Sequence, residues 1–195
     1  MAFLASHNGS SARAITNACD DGRLQADPVL LISNNPACPA FDWAKDKKLK
    51  TICLNEKNMR SIENVDREIA NQLSDHHIDL VVCSGYMKLI GPETINAVKG
   101  HILNIHPALL PKYGGQGMYG RKVHEAVKQA GDRETGITIH LVSNEYDDGK
   151  IIAQTTLPVR ENDTVIDIEN RVKAAEPDFY IETIGKILRG DIRLS

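Results

Sequence analysis

The sequence lacks the features that would place it among membrane or nucleic-acid-binding proteins. Its 195 residues contain no apolar run near the roughly 20 residues that a membrane-spanning helix needs, and no cationic leader of signal length. Positive charge is not in excess, since 23 Lys and Arg stand against 26 Asp and Glu for a net charge of −3. Binding to bulk nucleic acid depends on many basic contacts. These absences predict a cytoplasmic protein without a membrane or nucleic-acid partner.

Cysteine is also sparse and scattered. Cys19, Cys38, Cys53 and Cys83 form no Cys-x-x-Cys pair and no cluster with histidine. We interpret them as reduced, buried thiols and expect no metal site. A chain of this length buries enough surface for a stable core without disulfide bonds or a bound metal. Because repeats, low-complexity tracts and linkers are absent as well, we expect a single domain over residues 1–195.

Short apolar runs alternate with helical patterns through the first two thirds of the chain. The runs are Met1–Ala5, Val29–Ile32, Thr51–Leu54, Leu80–Cys83 and Ile102–Ile105. Each is apolar on both faces, as in a parallel sheet that helices cover on either side. Helical patterns stand at residues 11–19, 39–48, 62–73 and 92–98. The sequence therefore predicts an α/β fold with an open, mostly parallel, Rossmann-like sheet.

The pattern changes in the last third of the chain. Alternation over 136–142 and a second run over 151–155 predict an antiparallel strand pair that extends the sheet. From Thr164 onward, apolar positions recur at helical spacing behind a capping-box pattern. Proline lacks the amide hydrogen that a helix interior needs, so Pro177 is expected to break this helix near Glu176.

The first candidate site is the turn between the first strand and the first helix, which contains Gly9, Ser10 and Ser11. A helix N-terminus offers unpaired N–H groups and the positive end of the helix dipole, and a glycine lets a ligand approach the backbone. This turn suits a phosphate. The alternative is that Ser10 only caps the helix.

The second candidate site is formed by Asn104 and His106. They are two residues apart at the carboxyl end of a buried strand, so their side chains point the same way. Ligands bind at that edge of an open α/β sheet. An amide donor beside an imidazole can stabilise an oxyanion and move a proton, as acyl transfer requires. A purely structural histidine is the alternative.

The third candidate is the acidic turn around Asp147. If Asp147 reaches His106, its carboxylate favours the protonated imidazole and prepares it to act as an acid. Otherwise the segment is an ordinary turn between strands. His124 and His140 have no ligand-like partner in the sequence, and the glycine-rich segment 107–120 is typical of a mobile binding loop.

Together these segments resemble a known family. The string Asn-Ile-His-Pro-Ala-Leu-Leu-Pro over 104–111, followed by an Asp-x-Gly turn, is similar to the signature of the formyltransferase superfamily. With Asn8-Gly9-Ser10 at the first turn, the chain resembles the phosphoribosylglycinamide formyltransferases from Met1 to about Leu194. The resemblance implies transfer of a formyl group from the co-substrate 10-formyltetrahydrofolate to the amine of 5-phosphoribosylglycinamide, in purine biosynthesis.

The resemblance also assigns roles to residues. Asn104 and protonated His106 would stabilise the oxyanion of a tetrahedral intermediate, and Asp147 would assist. The substrate-binding residues would be Gly9, Ser10, Ser11, Lys173 and Glu176. The folate-binding residues would be Met87, Lys88, Leu89, Ile90, Asn104, Ser143, Asn144, Glu145, Tyr146 and Asp147.

The chain departs from the family pattern at four positions. Ser11 stands where many members have Asn, Lys88 and Ile62 where some have Arg, and Pro177 where many have His. These departures concern binding strength and leave the catalytic residues unchanged.

Three other functions are compatible with parts of the pattern. A formyltetrahydrofolate hydrolase would use water as acceptor, and we would expect an additional N-terminal domain. A methionyl-tRNA formyltransferase would need a longer and more basic chain. A non-catalytic nucleotide-binding α/β module would give Asn104, His106 and Asp147 no joint purpose. The protein is expected to be a monomer or a homodimer.

Overall fold

The computed structural model describes residues 1–194, which contain one seven-stranded sheet. Its strands are β1 (Ala2–Leu4), β2 (Leu30–Ser33), β3 (Lys50–Cys53), β4 (Val81–Cys83), β5 (Ile102–His106), β6 (Glu134–Leu141) and β7 (Ile151–Pro158). They lie in the order β3-β2-β1-β4-β5-β6-β7. The first five are parallel, and β6 and β7 pair antiparallel to their neighbours. The predicted fold class is confirmed.

Helices pack on both faces of this sheet. They are α1 (Ser10–Asp20), α2 (Ala40–Asp46), α3 (Glu56–Met59), α4 (Ile62–Asp75), α5 (Pro92–Ala97), α6 (Arg121–Ala130) and α7 (Val165–Leu188). One hydrophobic core joins the sheet to α1, α2 and α7, and a second joins it to α4 and the end of α5. We name the two sides of the sheet the α7 face and the α4 face.

Burial on both sides explains why the parallel strands read as continuous apolar runs. Neighbouring residues of β5 point into opposite cores, with Ile102 in the α4-face core and Leu103 in the α7-face core, both fully buried. Burying one such side chain stabilises the fold by about 1.5–3 kcal/mol. The order of the strands places the carboxyl ends of β1, β4 and β5 side by side.

Helix α7 corrects one prediction, because it runs unbroken from Val165 to Leu188 with Pro177 inside it. Tyr180 and Ile184, one and two turns further on, are fully buried against the sheet. The Tyr180 hydroxyl donates to the Leu103 carbonyl at 2.9 Å. Packing of this second half outweighs the roughly 3 kcal/mol that a helix-interior proline costs.

Two further observations refine the sequence analysis. Helix α6 was not predicted; it buries Val123, His124 and Val127 and begins where the glycine-rich loop 107–120 ends. All four cysteines are free, but only Cys38 and Cys83 are buried, whereas the other two are half-buried. None of the helices within residues 1–194 combines the length and apolar character that crossing a bilayer requires.

Candidate active site

Strand β5 presents Asn104 and His106 to the α4 face, because they alternate with Leu103 and Ile105, which pack into the α7-face core. His106 is the last residue of the strand and is 3% exposed, whereas Asn104 is half-buried. The predicted common direction of the two side chains is therefore present at the carboxyl end of β5.

The turn between β6 and β7 brings Asp147 to His106. Asp147 Oδ2 lies 3.3 Å from His106 Nδ1 and accepts the Gly115 N–H at 3.1 Å. Burial alone would raise the pKa of Asp147, but hydrogen bonds from His106 and His140 outweigh it and hold that pKa well below its usual range. Asp147 is therefore a carboxylate at neutral pH. The predicted contact between Asp147 and His106 is present.

The second ring nitrogen of His106 faces an acceptor as well. Its Nε2 lies 2.7 Å from the carbonyl oxygen of Tyr113 in the glycine-rich loop. Carbonyl and carboxylate oxygens only accept hydrogen bonds. A protonated imidazole would therefore donate one hydrogen bond from each ring nitrogen, to Asp147 and to Tyr113. Both ring nitrogens of His106 therefore face hydrogen-bond acceptors.

His140 also lies in this site, although no ligand-like partner stands near it in the sequence. It pairs with Asn104 in the β5–β6 register and is 2% exposed. Its Nδ1 lies 2.9 Å from the Leu141 carbonyl oxygen, and its Nε2 lies 3.1 Å from the Asn104 amide nitrogen and 3.5 Å from Asp147 Oδ1. His140 thereby orients Asn104. This pairing follows from the register of β5 and β6, which cannot be read from the sequence.

Gly149 closes the turn that carries Asp147. A Cβ atom at this position would overlap the carbonyl oxygen of Leu141, where the chain returns against the end of β6. Asp147 itself has a φ of 57°, in the left-handed region that aspartate tolerates better than most residues. The Asp-x-Gly pattern is therefore required by backbone packing as well as by the carboxylate.

A crevice of about 60 Å³ opens beside Asn104, His140 and Asp147 on the α4 face. The predicted folate-binding residues that line it are Lys88, Leu89, Ile90, Asn104, Ser143, Glu145, Tyr146 and Asp147. Met87 lines a neighbouring cavity of about 790 Å³ against α4, and Asn144 lines neither space. The two spaces share Tyr86, Lys88, Leu89, Ile90 and Tyr146, so they form one groove.

Two of the departures from the family pattern lie along this groove. Lys88 Nζ is 3.6 Å from a carboxylate oxygen of Glu56, and both side chains are more than half exposed. Ile62 lines the large cavity and is 61% exposed. The rim of the groove is therefore part apolar and part charged.

The predicted phosphate turn lies at the carboxyl end of β1. Gly9 occupies the N-cap position of α1 with a φ of 61° and makes no side-chain capping hydrogen bond there. The alternative in which Ser10 caps the helix is wrong, because Ser10 is its first residue. Ala12 donates its N–H to the Ser84 hydroxyl at 3.1 Å, while Ser10 is exposed and Ser11 is 3% exposed. The end of α1 keeps the open N–H groups that an anion needs.

Lys173 and Glu176 stand one helical turn apart on α7. Lys173 Nζ lies 2.6 Å from Glu169, so its charge is already partnered. Burial raises the pKa of Glu176 to about 7, with Lys173 and then His106 acting in the opposite direction. Among residues 1–194 no three His, Cys, Asp or Glu side chains gather as a metal-binding group would.

The fold and these side chains define an α/β protein that gathers an imidazole, a carboxylate and an amide at one sheet edge, groups that acyl-transfer enzymes use. The chain belongs to the formyl transferase family, whose model matches residues 1–184. It is 38% identical to a chloroplastic phosphoribosylglycinamide formyltransferase of Arabidopsis thaliana over 99% of this chain and 66% of that protein. It is 34% identical to the phosphoribosylglycinamide formyltransferase of Haemophilus influenzae over 100% of this chain and 89% of that protein.

A solved structure of a protein with the same name is also similar to this chain. The crystal structure of the phosphoribosylglycinamide formyltransferase of Bacillus halodurans matches with a TM-score of 0.87 at 35% identity, covering 96% of this chain and 94% of that one. The present chain spans just under two thirds of the plant relative's length but nearly all of the bacterial ones.

Proposed function

We propose that this protein transfers the formyl group of 10-formyltetrahydrofolate to the amine of 5-phosphoribosylglycinamide. The observation that carries the proposal is the position of His106, held between the Asp147 carboxylate and the Tyr113 carbonyl and two residues from Asn104. A protonated imidazole and an amide beside one crevice are the donors that a formyl oxyanion needs. Relatives that share this chain's length and fold bear the name of this activity.

The residues suggest the following steps. The amine nitrogen attacks the formyl carbon, and the carbonyl electrons move to oxygen. Asn104 donates a hydrogen bond to the oxyanion, and His106 donates a second through Nε2, which would exchange the Tyr113 carbonyl for the oxyanion. The nitrogen sheds one proton as the new C–N bond forms. The bond from the formyl carbon to the folate nitrogen then breaks, and that nitrogen gains one proton. Asp147 would keep His106 charged and pass the proton between the two nitrogens.

Each substrate would reach these residues from a different face of the sheet. The groove on the α4 face suits the folate, with its flat ring in the crevice and its benzoyl-glutamate portion in the larger cavity. The phosphate turn and Glu176 belong to helices of the α7 face, so the ribonucleotide would lie there and extend its amine over the edge of the sheet. Gly9, Ser10 and Ser11 would hold its phosphate.

The proposal also includes a single catalytic domain and a cytoplasmic location. A single catalytic domain is consistent with one sheet that holds every strand of residues 1–194. The four free cysteines are typical of a reducing compartment such as the cytoplasm.

The test follows folate absorbance with and without the ribonucleotide. We expect formyl transfer that depends on the ribonucleotide, and a loss of at least about 100-fold in kcat for His106→Asn, since a positioned acid–base group contributes that much. The matched control is His77→Asn, at the exposed end of α4. Turnover that ignores the ribonucleotide would indicate a hydrolase, and absence of turnover would indicate a non-catalytic nucleotide-binding module.

A further inference from the structure

Lys173 of the predicted site forms a cluster with two charged side chains that the sequence analysis did not assign, Glu169 and Arg121. Glu169 is 6% exposed, and each of its carboxylate oxygens has a partner. Oε1 lies 2.6 Å from Lys173 Nζ, and Oε2 lies 2.8 Å from Arg121 Nε. Lys173 follows Glu169 by one turn of α7, whereas Arg121 is the first residue of α6. We name these three residues the cationic clamp.

The clamp presents its positive charge to solvent and hides its negative charge. The side chains of Arg121 and Lys173 are 57% and 61% exposed, and that of Glu169 is 8% exposed. Ion pairs with such exposed partners contribute little to stability, and burying a carboxylate is costly. Both cations carry donors only, so they suit an anion or another acceptor that arrives from solvent.

The position of the clamp links it to the catalytic residues. Lys173 stands one turn from Glu176, and both it and His106 influence the charge on Glu176. The glycine-rich loop 107–120 begins at His106, whose ring contacts Tyr113, and it ends where Arg121 contacts Glu169. The clamp therefore fixes the far end of the loop to the helix that carries Glu176.

A buried histidine lies next to the clamp on α6. His124 lies one turn after Arg121 on α6 and is 1% exposed, and its Nδ1 has no partner among residues 1–194. Burial lowers the pKa of His124, so it adds no charge to the clamp near neutral pH. The charge of the clamp at that pH is +1, from two cations and one carboxylate.

We propose that Glu169 is a positioning residue that holds Arg121 beside Lys173, and that Arg121 is a second cation for the acceptor groups of the anionic ribonucleotide. This inference rests on the proposed function, because it assigns the clamp to the same substrate. The folate is a poorer candidate, since its groove opens on the α4 face.

The test uses the sign of a change in KM. Glu169→Gln removes a negative charge, so if Glu169 only neutralised its partners, an anionic substrate would bind more tightly and its KM would fall. If Glu169 positions the cations, KM for the ribonucleotide rises about tenfold, the worth of one charge-assisted hydrogen bond, while kcat and the KM for folate stay within about twofold. Glu182→Gln, which breaks the pair with Lys186 further along α7, is the matched control.

A second variant keeps the inference testable if Glu169→Gln folds poorly. Arg121→Met leaves the pair between Glu169 and Lys173 intact and should raise the ribonucleotide KM about fivefold, with little further effect when added to Glu169→Gln. An unchanged or lower ribonucleotide KM in Arg121→Met, or an equal rise in both KM values, would overturn the inference. Calorimetry with the ribonucleotide reads the same differences as Kd. An inactive wild type would therefore refute the proposed function, and the clamp would be judged on Kd.

Discussion

The half-buried carboxyl group of Glu176 is subject to two opposing influences: burial disfavours its charge, whereas Lys173 and His106 favour it, and burial has the larger effect. Burial raises the pKa of Glu176 to about 7, against an ordinary value of 4.5. Near neutral pH a fraction of these carboxyl groups is therefore protonated. Such a group can accept a hydrogen bond or a proton from an incoming amine, the group that the proposed substrate 5-phosphoribosylglycinamide carries.

This pKa predicts how stability changes with pH. Between about pH 4.5 and pH 7 the folded chain holds a proton on Glu176 that the unfolded chain has lost, so the free energy of unfolding falls as pH rises through that interval. Glu176→Gln should remove this fall and, above pH 7, gain on the order of 2 kcal/mol relative to wild type. Urea unfolding of both proteins at several pH values measures the difference.

An exposed carboxyl group on α7 serves as the control for the buried one. Glu182→Gln, on the exposed side of the same helix, should keep the pH dependence of the wild type. Parallel curves for wild type and Glu176→Gln would show that burial of this carboxyl group does not raise its pKa.

Residues also show where the sequence was informative and where it was not. Asn104, His106 and Asp147 could be predicted because two stand in one strand and the third in a recognisable turn. His140, Arg121 and Glu169 could not, because each acquires its partner only from strand register or from the packing of α6 on α7. Local patterns report which face a side chain takes, but not what another element brings to it.

At the scale of the element, α7 shows packing overriding local preference. Its first turn is fixed by a capping box between Thr164 and Asp167, as the sequence predicted. Its second half is fixed by Tyr180 and Ile184 in the α7-face core. Pro177 lies between two well-anchored halves, so the helix continues through it although the proline rule predicted a break.

Replacing this proline should stabilise the protein. Pro177→Ala restores a donor for the Lys173 carbonyl and a better helix former, partly offset by a more flexible unfolded chain, for a net gain of roughly 1–2 kcal/mol in the free energy of unfolding. Urea unfolding measures this gain, with the neighbouring exposed Asp178→Ala as a control for helix propensity alone. A decrease would mean that the side chain of Pro177 contributes packing that alanine cannot replace.

At the scale of the whole molecule, the sheet separates two binding surfaces. The open groove lies on the α4 face, and the phosphate turn, Glu176 and the clamp lie on helices of the α7 face. The two surfaces approach each other at the carboxyl end of β1, because Ser6 and His7 line the larger cavity and lead into the phosphate turn. Alternation of apolar and helical segments predicted this division into faces, because it predicted helices on both sides of the sheet.

This separation predicts that the two substrates respond to different substitutions. Leu89 lines the groove and is 48% exposed, so Leu89→Ala should raise the KM for folate about fivefold through lost apolar contact and leave the ribonucleotide KM unchanged. Ile166→Ala, an equally exposed apolar position on α7, should change neither. Steady-state kinetics with each substrate varied in turn is the measurement. A rise in the ribonucleotide KM of Leu89→Ala would show that the ligands share one surface.

The close approach of Gly149 to the Leu141 carbonyl has a consequence for how this enzyme can evolve. Position 149 admits no side chain at all, so mutation there would displace the return to β7 and carry the Asp147 carboxylate away from His106. The contact between Asp147 and His106 can therefore be inherited only together with a glycine at position 149.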